Sequence, residues 1–174
     1  MWMTPISLST EGARLVPLTY DHTPELVDAA ADGALHHLWY TTVPAPERVE
    51  QEISRRLALQ DAGSMVPFAI LDATGRAVGM TTYMNVDHAN RRVEIGSPWY
   101  RKSVQRTGLN TKIKQLMLTH AFEAKDAIAV EFRTHVLNRQ SRTAIERLGA
   151  KLDGILRAHS ILPNGTIRDT AVYS

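Results

Sequence analysis

The chain of 174 residues contains no cysteine. Disulfides, thiolate metal sites and a cysteine nucleophile are therefore excluded, and a reducing compartment suits it. No segment approaches the ~20 apolar residues needed to cross a bilayer. The opening Met1-Trp2-Met3-Thr4-Pro5 lacks the basic-then-apolar pattern of a secretory signal, so the expected address is the cytoplasm, with no membrane partner. Neither sign of charge dominates. Twenty Lys and Arg face 18 Asp and Glu, a formal charge of +2, too weak a field to make nucleic acid the expected partner. The seven histidines show no H-x-x-x-H or H-E-x-x-H spacing, so no metal site is expected, and the adjacent His36 and His37 should point to opposite sides. Neither a G-x-G-x-x-G nor a G-x-x-x-x-G-K-[ST] loop occurs. Repeats and low-complexity tracts are also missing, which leaves a single domain over 1–174.

What is present is a mixture of strand and helix signals. Residues 5–18 read as one or two short strands interrupted at Glu11-Gly12, and 23–31 and 46–62 as helices. Strands are expected over 65–71 and 76–85, joined by the turn Asp72-Ala73-Thr74-Gly75, and again over 91–99. A helical stripe follows from Leu109 through Ile113, Leu116, Met117, His120 and Ala121. Then come a half-buried strand over 128–134, a short helix from Asn138 to Leu148 stopped by Gly149, and two strands over 151–162 and 166–173. Asn164-Gly165 is a hairpin signal between those last two. The order implies a mixed α/β (α+β) fold, with one strand–helix–strand crossover among antiparallel hairpins.

The segment Gln105-Arg106-Thr107-Gly108-Leu109-Asn110-Thr111 opens the helix at 109. The first amides of a helix have no carbonyl one turn earlier to meet, and they sit at the positive end of its dipole. A glycine lets that backbone approach a phosphate closely. Arg101, Lys102 and Arg106 add charge, and the Thr107 and Thr111 hydroxyls add donors or a cap. The plainer reading is a loop with a threonine cap. Asn138 and Ser141 stand three apart, which fits helix capping. Their place after the strand over 128–134 also puts them where α/β proteins bind ligands. Glu94 and Glu131 alternate with apolar neighbours. They lie either on solvated strand faces or in a cleft where burial would raise the carboxyl pKa for proton transfer. Asp169 and Arg168 read as a simple pair. The pairs Trp39-Tyr40 and Trp99-Tyr100 read as core, or as the lining of an acceptor pocket beside a cleft.

Together these features resemble the GNAT superfamily of acetyl-CoA-dependent N-acetyltransferases, and within it the RimJ/RimL-like branch. The likeness is carried by Gln105-Arg106-Thr107-Gly108-Leu109-Asn110 as the pyrophosphate loop, by Val93-Glu94-Ile95-Gly96 with Trp99-Tyr100 as the strand before it, and by Asn138-x-x-Ser141 followed by Leu148-Gly149-Ala150. Asn110 departs from the family's usual Gly or Ala. The resemblance implies a central, mostly antiparallel mixed sheet with helices on both faces. It implies acetyl-CoA as co-substrate without a metal, and amides of Arg106 to Asn110, with Gln105 and Thr111 beside them, on the coenzyme A pyrophosphate. Backbone at Trp99 and Tyr100 would pair with the pantetheine arm, Asn138 would bond a pantetheine amide, and Ser141 would lie near the sulfur. Glu94 is the expected general base, acting through water. The acceptor would be a primary amine, either a protein N-terminus or a small molecule, with Trp39 and Tyr40 lining its pocket. A homodimer is compatible with the branch. The rival reading is a non-catalytic acyl-CoA-binding or regulatory domain.

Overall fold

Strands β3 (Met65–Asp72) and β4 (Ala77–Asp87) are buried on both faces over most of their length, which requires cover above and below the sheet. The computed structural model, which describes residues 2–38 and 43–174, supplies that cover. The remaining strands are β1 (Leu8–Thr10), β2 (Ala13–Pro17), β5 (Arg92–Tyr100), β6 (Ala129–His135), β7 (Leu152–Ile161) and β8 (Ile167–Tyr173). They form one eight-stranded sheet in the order β1-β2-β3-β4-β5-β6-β8-β7. Every pairing is antiparallel except β5 with β6.

On one face, α1 (Thr23–Ala31) and α2 (Val49–Asp61) lay Leu26, Ala29, Val49 and Ile53 against Ala69, Met80 and Trp99. On the other, α3 (Leu109–Thr119) and α4 (Arg139–Glu146) lay Ile113, Met117 and Ile145 against Phe68, Val93, Ile95 and Phe132. This is the mixed sheet with helices on both faces that the sequence implied. The expected turns are in place. Gly75 N–H bonds Asp72 O at 3.0 Å, Gly165 N–H bonds Leu162 O at 2.8 Å, and Gly149 N–H bonds Glu146 O at 3.0 Å. Two expectations fail. His36 and His37 do not oppose each other. They lie in a 3₁₀ turn, where successive side chains are only about 120° apart, and their ring centroids are 4.2 Å apart. Arg168 and Asp169, adjacent on a strand, cannot share a face. Arg168 Nε donates to Thr170 Oγ1 at 3.0 Å, whereas Asp169 Oδ1 accepts from Ala158 N–H at 2.7 Å.

The parallel pair β5–β6 positions everything that follows. It holds register only from Arg92, Val93 and Glu94 to Ala129, Val130 and Glu131. Beyond Glu131, β6 pairs with β8, from Phe132 opposite Tyr173 to His135 opposite Thr170. Strand β5 meanwhile bends away through a bulge. Thr82 faces Gly96 and Met80 faces Trp99, so Ser97 and Pro98 together oppose Thr81. Ser97 sits at φ 47°, in the left-handed region. The bulge is clamped from α2. Arg56, whose side chain is 1% exposed, donates from Nη2 to Ser97 O at 2.9 Å and from Nε to Glu52 Oε1 at 2.7 Å. The sheet thus splits into a V, with α3 entering from the end of β5 and α4 from the end of β6.

Arg56→Ala should cost about 3 kcal/mol, because it breaks a buried ion pair and frees the bulge carbonyl. Arg55→Ala, half-exposed and bonded to both oxygens of Glu52, should cost under about 1 kcal/mol. Urea unfolding of the two variants checks the contrast, and equal losses would remove Arg56 from this role.

Candidate active site

The end of β5 sets out the first wall. Arg101 N–H bonds Val78 O at 2.8 Å. In an antiparallel ladder the alternate residue, Tyr100, therefore turns its own N–H and C=O away from β4, toward the V. Gln105 Nε2 donates to that Tyr100 carbonyl at 3.2 Å, and Tyr100 Oη donates to Asn110 Oδ1 at 3.0 Å. Asn110, the residue that departs from the family pattern, thus fastens the first turn of α3 to the end of β5.

The loop between them is built to present amides. Arg106 (φ 64°) and Gly108 (φ 87°) are both left-handed, which makes a concave run of N–H groups of the kind that binds anions. The N-cap of α3 is Gly108, with no side-chain cap. The expected threonine cap is absent because Thr107 Oγ1 turns back to donate to Val104 O at 2.7 Å. At this end the Lys112 N–H reaches Gly108 O at 3.1 Å, so the amides before it lie ahead of the helical bonding pattern. A Cβ built on Gly108 meets no atom within 4 Å. The glycine is there for its φ and for close approach from outside the chain, not to relieve crowding within it.

The second wall is the start of α4. Asn138 is its N-cap, and Oδ1 accepts from Ser141 N–H at 3.0 Å. The spacing of Asn138 and Ser141 is thus a capping pattern first. That bond uses the carbonyl end of the side chain and leaves the Nδ2 end out of it. A roof comes from the segment after α1. Asp32 accepts from Arg101 Nε at 3.1 Å and from Ser103 N–H at 2.9 Å. The Ser103 amide, with Arg101, holds its carboxyl below the usual carboxylate range. Gly33 passes so close to Lys102 that an added Cβ would lie 2.5 Å from the lysine Cβ.

These walls enclose a cavity of about 490 Å³. Of the residues singled out from sequence, Trp99, Tyr100, Lys102, Gln105, Arg106, Asn110, Asn138 and Ser141 line it together. Thr107, Gly108 and Thr111 are exposed outside the lining, and Leu109 is buried in the core beneath. Trp99 is 3% exposed, and its indole N–H has no partner among the described residues. Trp39 and Tyr40 lie outside the described residues. Sequence reasoning missed Gly33 to Leu35, which carry no local signal, and Lys114. The signal for Lys114 was available, since it stands four residues after Asn110 on the same helix face. A second cavity of about 650 Å³, lined by His36, Arg48, Glu52, Arg55, Pro163 and Asn164, shares Leu38 and Val43 with the first.

Glu94 does not line the first cavity. It is 5% exposed on β5, accepts from Asn85 Nδ2 at 2.7 Å and lies 3.7 Å from Arg133 Nε. The solvated strand-face reading therefore fails for it. Burial raises its carboxyl pKa, opposed by the Asn85 bond and the Arg133 charge. Glu131 is half-buried and pairs with Arg133 and Arg92. The chain thus carries an amide-lined loop, a polar second wall and a carboxyl held above its ordinary value, arranged around one split in the sheet.

Comparison with known proteins is consistent with this arrangement. Over 100 residues the chain is 33% identical to YdaF of Bacillus subtilis (strain 168), which carries the provisional name ribosomal N-acetyltransferase. That match covers 58% of this chain and about half, 54%, of the relative's length. A GCN5-related N-acetyltransferase from Brucella melitensis superposes with a TM-score of 0.88 at 26% identity, over 99% of this chain and 79% of the other. RimL, a ribosomal L7/L12 alpha-N-protein acetyltransferase solved in complex with coenzyme A, shares the fold with a TM-score of 0.82. Its identity is 18%, and the match covers 97% of this chain and 96% of RimL. The family model for the acetyltransferase (GNAT) domain matches residues 13–151, and the chain belongs to that family.

Proposed function

We propose that this chain is an N-acetyltransferase that moves an acetyl group from acetyl-CoA to a primary amine, and that its acceptor is the N-terminal amine of a ribosomal protein. One observation carries the reading. The split between β5 and β6 opens on a cavity lined jointly by the 105–110 loop and by Asn138 and Ser141. The provisional name of YdaF and the coenzyme A complex of RimL support the choice of cofactor and acceptor. We take 1–174 as one such domain, acting in the cytoplasm and without a metal.

The residues present fit the coenzyme. Left-handed Arg106 and Gly108 turn a run of amides outward, and Gly108 leaves room for a diphosphate to approach. The Arg106 guanidinium adds charge at the same place. The N–H of Tyr100, directed away from β4, offers a strand edge to the pantetheine amides. Asn138 Nδ2 would donate to a pantetheine carbonyl, and the Ser141 hydroxyl on the same wall would serve the departing sulfur. Acetyl-CoA supplies an activated thioester, which a neutral amine can attack once positioned. Glu94 suits the removal of the amine's proton through water, because burial raises its affinity for that proton. The acceptor approaches through the second cavity, whose wall includes the turn between β7 and β8.

At a hundred times its dissociation constant, coenzyme A should add about 2.7 kcal/mol to unfolding stability. Gly108→Glu should abolish that gain while costing the fold about 1 kcal/mol for a side chain at positive φ. Ser141→Ala should lower kcat about fivefold with little change in affinity, the loss of one hydrogen bond. Paired thermal shifts and thiol-release assays on N-terminal peptides read both. Full binding by the glutamate variant would contradict the loop assignment. Binding without turnover on every amine would contradict the enzyme reading.

Glu94 also makes a stability prediction. Its folded pKa is raised above its ordinary 4.5. Its favourable contribution is fully present below about pH 4.5 and is lost as the pH rises through the folded value. Glu94→Gln keeps an acceptor for Asn85 without the charge. Its advantage over the native chain should grow from about pH 4.5 toward neutrality and vanish below. Urea titrations across that range test it, and a difference that ignores pH contradicts the assignment.

A further inference from the structure

Lys114 lines the same cavity, buried in its wall, and its chemistry has no part in the proposed reaction. It stands one turn beyond Asn110 on α3, is 6% exposed, and reaches the cavity that also takes Asn138 and Ser141. Its Nζ lies 5.3 Å from the centre of the Phe132 ring. Phe132 is the residue at which β6 parts from β5 and turns to β8, so the amine sits over the apex of the V. Among the described residues Lys114 has no carboxylate partner. A buried ammonium without a counter-ion favours its neutral form, and burial brings the Lys114 amine down to about 8. Roughly a tenth of it is then uncharged at neutral pH.

From this placement we infer that Lys114 is a self-acetylation site, modified by the acetyl-CoA that occupies the same cavity. The inference rests on the proposed cofactor reading. In the step, neutral Nζ forms a bond to the acetyl carbonyl carbon and the carbon–sulfur bond breaks. The sulfur leaves as thiolate and takes up the proton that the nitrogen loses. The products are acetyl-lysine and free coenzyme A. Because so little of Lys114 faces the outside, a donor reaches it only from within the cavity. That separates it from Lys112 and Lys151, which are exposed outside the lining, and from Lys102, which lines the cavity but is also open to solvent. Once acetylated, the cavity loses its buried cation and gains an acyl group at its apex. The chain would thus limit its own turnover when acetyl-CoA is abundant and acceptor is scarce.

The test uses the full chain and two readouts. In the first, acetyl-CoA is supplied without acceptor at about pH 8, and acetyl groups are mapped by peptide mass spectrometry over time. The expected result is acetylation at Lys114 about tenfold faster than at Lys112 or Lys151, absent in Lys114→Arg and stopped in the unfolded chain. In the second, acetic anhydride labels accessible amines with and without coenzyme A, which has no acetyl group to give. Coenzyme A should protect Lys114 and leave Lys112 and Lys151 unchanged. If coenzyme A protects Lys114 while acetyl-CoA never modifies it, self-acetylation is overturned and the cofactor site stands. If Lys114 is acetylated no faster than the exposed lysines, or equally in the unfolded chain, the chemistry is not the cavity's and the inference fails. If neither form of the coenzyme protects Lys114 or shifts the melting temperature, the cofactor reading fails and this inference fails with it.

Discussion

A parallel strand pair that stops after three residues governs this molecule. Strands β5 and β6 hold together from Arg92 to Glu94 and then part, because each finds a different attachment. Strand β6 is drawn to β8 in antiparallel register. The bulge at Ser97-Pro98 bends β5, and Arg56 pins it from the helix above. Backbone groups turned into such a gap need partners as any buried peptide does. Gln105 meets one of them, the Tyr100 carbonyl. The rest of the edge is suited to a molecule that carries its own amides.

The gap also sorts charge. Glu94 alternates with Val93 and Ile95, which pack toward α3, so its carboxyl lies on the face covered by α1 and α2. Lys114 lies on the α3 face beneath. Burial acts on both in the direction that disfavours charge, raising the carboxyl and lowering the amine. Glu94 keeps Asn85 and Arg133 as partners, whereas Lys114 has no carboxylate partner among the described residues.

Most of the frame was legible because its signals are local. Asp72 to Gly75, Asn164-Gly165 and Gly149 encode their turns through φ and side-chain bonds that need no distant partner. The period of Ile113 and Met117 marked α3, and the glycine at its entrance marked the loop. The parting of β5 and β6 was not legible, since it depends on Arg56, forty-one residues from Ser97 in sequence. Burial of Glu94 likewise follows from Asn85 and Arg133 closing over it, not from its alternation with apolar neighbours. Asn138 and Ser141 were read for two roles. The cap is visible in the structure, and the ligand role rests on the cavity they share with the loop. Lys114 was passed over because a lysine in an amphipathic stripe is ordinarily a solvated residue. Its spacing of four from Asn110 was the signal against that, and the wall it shares with the split bears the spacing out.

The most direct test is a crystal structure of the chain soaked with coenzyme A at saturating concentration. The diphosphate is expected on the amides of Arg106 to Asn110, within about 3 Å of several of them, and the pantetheine arm along β5 beyond Glu94. A diphosphate bound elsewhere, or a pantetheine lying outside the split while β5 and β6 remain parted, would contradict that expectation.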